Sequence, residues 1–146
     1  MTVTIASELV GQILEEAAAS PAVEICGLLL GEGDRITRAL PCRNVATDPA
    51  RRFEIDPAAL IAAHRAARGG GPRIVGHYHS HPGGVAVPSA RDAAEAAADG
   101  TLWLIAAGGV LRGWRAVADG PVEGRFVRIA LAKSNNMNKW GTRTET

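Results

Sequence analysis

From Thr101 onward the chain alternates short apolar runs with glycine turns: "TLWLIAA", Gly108-Gly109, "VLRGWRAV", Asp119-Gly120, then "GRFVRIAL". Runs this short, closed by residues that favour tight turns, predict strands over Thr101–Ala107, Val110–Val117 and Gly124–Leu131, joined as a meander. Upstream, Leu9, Val10, Ile13, Leu14 and Ala17 fall at helical spacing and predict a helix from Ala6 to Ser20. "EICGLLLG" (Glu24–Gly31) and "RITRALPC" (Arg35–Cys42) read as two strands of a hairpin around Glu32-Gly33-Asp34. A short strand is expected at Phe53–Ile55. Asp56-Pro57 then opens a helix to about Ala67, because an aspartate N-cap followed by proline suits a first helical turn. "RIVGHYHSH" (Arg73–His81) predicts another strand and "PSARDAAEAAADG" a helix. Strands and a few helices ending in a meander give an α+β domain, with the sheet curled around or against the helices.

The bulk numbers narrow the function classes. A chain of 146 residues fits one domain with its own core. With a net charge of +1 there is no electrostatic footprint for nucleic acid. Cys26 and Cys42 are too few for a disulfide scaffold or paired zinc knuckles, so a cytoplasmic setting is expected. No window is apolar and long enough for a membrane span. The domain is expected over residues 1–132, and "KSNNMNKWGTRTET" (133–146), which loses all apolar periodicity, reads as a flexible polar tail carrying Trp140.

The chemistry concentrates in "GHYHSHPGGVAVPSARD", residues 76–92. Alternate residues of a strand share a face, about 7 Å apart, so His79 and His81 can converge on one ion. A catalytic zinc usually takes three protein ligands. Asp92 is the candidate third, since the Gly83-Gly84 turn lets the chain fold back toward the strand end. Ser89-x-x-Asp92 ahead of an alanine-rich helix reads equally as a capping box. His77 shares the face of His79 and competes as a ligand, but it sits deeper in the strand. His64 reads as a solvated helix residue. For a general acid/base, Glu24 and Glu54 are comparable on strand logic alone. Cys26 reads as a small buried thiol.

His79-Ser80-His81, seven residues, Ser89, two residues and Asp92 resemble the signature of the JAMM/MPN+ (JAB domain) metalloprotease family at every specified position. "PAVEICGLLLG" and "RRFEIDP" resemble further segments of that family, and the resemblance covers about residues 3 to 131. It implies a curved mixed β-sheet flanked by helices, the MPN/JAB (cytidine-deaminase-like) fold. It implies one Zn2+ per chain held by His79, His81 and Asp92, with Glu24 chosen over Glu54 as general acid/base and Ser89 supporting an oxyanion. Zinc makes a nucleophile available at neutral pH, and a carboxylate beside it can shuttle the proton to the leaving amine.

Short members of this family are associated with ubiquitin-like or sulfur-carrier proteins that end in Gly-Gly. The expected reaction is hydrolysis of the amide bond after such a tail, with the carrier as partner and neither nucleic acid nor membrane involved. An extended tail is expected to add as a strand at a sheet edge near the site. The alternative is a non-catalytic scaffold of the same fold; members of that kind generally lack the complete ligand set, whereas all five expected residues are present here.

Overall fold

The computed structural model describes residues 1–135. Seven strands, β1 (Thr2–Ala6), β2 (Cys26–Glu32), β3 (Arg35–Cys42), β4 (Arg73–Ser80), β5 (Leu102–Ala107), β6 (Val110–Gly120) and β7 (Gly124–Ser134), close into a ring in the order β1-β3-β2-β4-β5-β6-β7. The sheet is mixed: β1 runs parallel to both β3 and β7, and β4 parallel to β5, while the other neighbours are antiparallel. Three helices flank it, α1 (Ser7–Ala18), α2 (Pro57–Arg68) and α3 (Ala90–Glu95). The expected α+β fold, a curved mixed sheet with flanking helices, is the one observed.

Helix α1 forms because its apolar residues recur on one stripe, and it buries Leu9, Val10 and Ile13. That stripe packs with Val3, Ile5, Leu29, Tyr78, Leu104 and Ile129 into the main core. Helix α2 begins as expected, with Asp56 accepting the Ala58 N–H at 3.0 Å and Pro57 in the first turn. It covers Leu28 and Leu30 of β2. Along β4 the side chains alternate: Tyr78 enters the α1 core, whereas His77 and His79 face the aromatic side with Trp103 and Phe53. A second cluster of Trp103, Ile105, Trp114, Ala116 and Phe126 supports that side.

Four expectations change. Strand β1 is an addition to the expected elements; it pairs with β3 at Arg35 and Ile36 and, far along the chain, with β7, Thr2 against Ala130 and Ile5 against Lys133. Phe53–Ile55 is no strand, and Ile55 forms only an isolated bridge to Asn44. The helix after Ser89 ends at Glu95, because Ala96 turns extended (φ −84°, ψ 135°) and packs toward the Trp103–Phe126 cluster. Strand β7 runs through Ser134, so Lys133 and Ser134 of the expected tail belong to the sheet, where Ser134 pairs with Ala6. Trp140 lies outside the described residues.

Candidate metal centre and adjoining groove

The centre grows from the end of β4. His79 is fully buried at 0 % exposure, and its ring stacks on Phe53 with centroids 4.3 Å apart. His81 follows just beyond the strand, and its N–H binds Ala106 O at 2.9 Å, so the backbone stays aligned with β5. Gly83 then takes φ +69°, a conformation glycine adopts without Cβ strain, and the chain reverses. The return brings in Ser89 and α3.

The capping box is present in full: Asp92 N–H binds Ser89 Oγ at 3.0 Å, and Ser89 N–H binds Asp92 Oδ2 at 2.9 Å. It does not compete with a site role for Asp92. The same carboxylate lies 3.2 Å from His79 Nε2 through Oδ1 and 3.1 Å from His81 Nε2 through Oδ2. One potential ligand atom from each of His79, His81 and Asp92 lies within 4.8 Å of the others.

These donors suit a cation on chemistry as well as distance. His81 Nδ1 lies 2.8 Å from Val85 O. A carbonyl only accepts, so Nδ1 carries a proton. Burial pulls the His81 pKa down, but hydrogen bonds to Asp92 and Val85 O outweigh it and raise it, so without a metal Nε2 also donates to Asp92. The two Nε2 atoms stand 3.1 Å apart, so two nitrogens and a carboxylate oxygen converge on one space. Burial pushes the His79 pKa down, which keeps that ring neutral. Burial alone would raise the Asp92 carboxyl, but hydrogen bonds from His79, His81 and the Ser89 N–H hold it well below the usual carboxylate range. A divalent metal would take the place of the Nε2 protons that bond Asp92, with neutral imidazoles and an ionised carboxylate as its ligands.

Beside the cluster lies a groove of about 310 Å³ lined by Glu24, Ala50, Arg51, His81, Val85, Val87 and Ser89 among others. Glu24 is 6 % exposed, its Oε1 has no partner among the described residues, and burial raises its pKa to about 7. Ser89 is exposed, and its Oγ accepts from Asp92 while its own proton stays available. Glu54 and His64 are exposed and line a separate cleft under α2, away from the cluster. His77 sits against the Trp103 ring, with centroids 4.4 Å apart, outside the converging set. Cys26 Sγ approaches the carbonyls of Cys42 and Arg43 at 3.7 Å, and burial pushes its pKa up to about 12.

Two neighbours of the site were not read from the sequence. Phe53 flanks His79, and Ser80 Oγ accepts the Ile25 N–H at 2.9 Å, tying the Glu24 segment to β4. Ser80 points to the opposite side from the histidines and its partner is far away in sequence; its only signal was its place between them. The strand that carries His79 does not provide the expected sheet edge. His79 is paired on both sides, with Cys26 and with Ile105, so β4 offers no free edge.

A profile built on prokaryotic homologs of the JAB domain matches residues 6–119. The chain belongs to this JAB domain family. A protein named desampylase from Haloferax volcanii is 41 % identical over 93 residues, covering 62 % of this chain and 67 % of that protein. A Thermus thermophilus protein named a probable TtuB-protein conjugate cleaving protease is 40 % identical over 70 residues, 48 % of this chain and 47 % of its own length. The chain thus spans about two thirds of one curated relative and about half of the other. Among solved structures, a Desulfitobacterium hafniense protein superposes with a TM-score of 0.78 at 26 % identity, over 94 % of this chain and 96 % of that one. All of the JAB signature positions fall inside the span that the family profile matches.

Proposed function

We propose that this JAB domain is a zinc-dependent peptidase or isopeptidase that hydrolyses the amide bond after the C-terminal Gly-Gly of a ubiquitin-like or sulfur-carrier protein. The observation that carries the reading is the convergence of His79, His81 and Asp92 at the head of a groove that also holds Glu24. The conjugate-cleaving protease among the relatives supports the substrate class.

His79 Nε2, His81 Nε2 and one Asp92 oxygen would hold one zinc ion. Bound there, zinc supplies Lewis acidity and makes a nucleophile available at neutral pH. Glu24, with a pKa raised to about 7 by burial, holds or releases a proton at its carboxyl near neutral pH, as a general acid/base must. Ser89 has spent an acceptor site on the Asp92 N–H, and its hydroxyl proton is left to stabilise an oxyanion. Val85 and Val87 flank the groove, 68 % and 41 % exposed, and narrow it toward a tail without side chains, which glycine provides.

The test is to incubate the zinc-loaded protein with fusions that carry a cleavable bond after Gly-Gly and read the products by mass spectrometry. The expected product ends at the second glycine, and Glu24→Gln slows its formation by at least about 10²-fold while keeping zinc. No product from any fusion, or unchanged turnover in Glu24→Gln, overturns the proposal.

A further inference from the structure

Glu24 precedes β2, so no strand neighbour satisfies its backbone. Both of its peptide groups are instead held by one loop: the N–H donates to Pro49 O at 2.8 Å, and the C=O accepts from Asn44 Nδ2 at 2.9 Å. Asn44 does more than this. Its Nδ2 also donates to Arg52 O at 3.0 Å, while Oδ1 accepts the N–H groups of Ala46 at 3.0 Å and Glu54 at 3.1 Å. Two donors and two acceptors are the main capacity of a primary amide, so this side chain is saturated. Its orientation is also fixed, because a flip would set oxygen against two carbonyls and nitrogen against two N–H groups.

The loop that Asn44 closes carries Ala50 and Arg51 on the wall of the groove and Phe53 on the face of His79. From the other side, Ser80 holds Ile25 through its Oγ at 2.9 Å and through its N–H, which donates to Ile25 O at 3.1 Å. The backbone of Glu24 is therefore set between a strand and a loop, joined to the loop by its N–H to Pro49 O and by its C=O from the Asn44 side chain.

We infer that Asn44 is a positioning residue: its Nδ2 fixes the backbone from which the Glu24 carboxyl enters the groove, and so sets where that carboxyl stands relative to His79, His81 and Asp92. The inference rests on the proposed role of Glu24. Asn44 touches no reacting atom; it also closes the loop that carries Phe53, and its effect on turnover runs through Glu24.

Asn44→Asp separates this from a general structural role. It keeps the oxygen that binds Ala46 and Glu54 and replaces the donor with an oxygen facing the carbonyls of Glu24 and Arg52. Amide hydrogen exchange by NMR on metal-free protein should show the Glu24 N–H exchanging at least about tenfold faster in the variant, with Leu28 and Tyr78 unchanged, since loss of one loop anchor opens that segment locally. In the zinc-loaded protein, kcat should fall by about tenfold or more with zinc content unchanged, and the substitution should cost nothing further in a Glu24→Gln background, read by single turnover. Asn44→Ala, which adds no charge, runs in parallel and should give the same pattern if the aspartate variant fails to fold. Wild-type exchange at Glu24 in both variants, or a loss of turnover that persists in the Glu24→Gln background, overturns the inference. If wild-type protein cleaves no fusion yet the exchange difference appears, the proposed function fails while the anchoring by Asn44 stands.

Discussion

Burying an unpartnered carboxyl costs stability whenever that carboxyl ionises, so Glu24→Gln should make the metal-free protein more stable in a pH-dependent way. The folded chain carries this group's pKa from 4.5 to about 7. An acid whose pKa is raised by folding binds more protons folded than unfolded, so its contribution falls as pH climbs through that window and is level above it. At 1.36 kcal/mol per pH unit the full penalty is about 3 kcal/mol. Water in the groove screens part of it, which leaves about 2 kcal/mol. The assay is urea denaturation of wild type and Glu24→Gln in chelator at about pH 5 and about pH 8.5, taking the difference of differences so that groups common to both proteins cancel. Gln resembles the protonated acid in shape and polarity, so the two proteins should nearly match at the lower pH. The variant should gain about 2 kcal/mol at the higher one. An advantage equal at both pH values, or none at the higher, would refute the argument that burial raises this carboxyl's pKa. A catalytic acid/base held this way trades fold stability for a pKa near neutrality.

Three further outcomes test the rest of the site and its support. Replacing His79 and His81 together by alanine leaves Asp92 as the only member of the converging set, and zinc bound per chain, measured by atomic emission, should fall from about one to none. Ser89→Ala removes both the acceptor for Asp92 N–H and the free hydroxyl. Stability should drop by about 1 kcal/mol in urea melts, and turnover by about 10²-fold at full zinc content. Gly27→Ala places a Cβ into the ring of Tyr78, its partner across β2 and β4. The overlap should cost about 1–3 kcal/mol by thermal unfolding, and an unchanged Tm would mean that β2 and β4 shift apart freely.

Much of the site was legible because local chemistry carries it. His79 and His81 share a face by strand geometry alone, and the glycine turn at Gly83 returns the chain to them. The capping box was also readable, but posing it against a ligand role was too narrow. A carboxylate can accept from Ser89 N–H and still present oxygens to two imidazoles, because it has lone pairs enough for both. What escaped the sequence depends on partners remote along the chain. Thr2–Ala6 offers only Val3 and Ile5 as a period-two signal, and its identity as a strand comes from β3 and β7. The Phe53 segment has strand-like composition but serves as a cover for His79, held by side-chain bonds to Asn44 and two backbone bonds to residues 43–45 rather than by a continuous ladder. No composition rule reports that a closed ring leaves β4 without an edge.

That closure also bears on how the protein is made. Of the seven described strands, the first to be synthesised pairs with the last, Val3 with Leu131. While β7 is still unsynthesised, β1 and β6 each lack their outer neighbour, and the nascent chain carries open strand borders that can pair wrongly with other chains. Because the seam joins residues about 130 apart in sequence, closing it carries a large loop-closure cost, of the kind that slows folding. Shortening the chain before Leu131 should therefore do more than trim an edge: it should leave the barrel unsealed and the protein prone to self-association during translation.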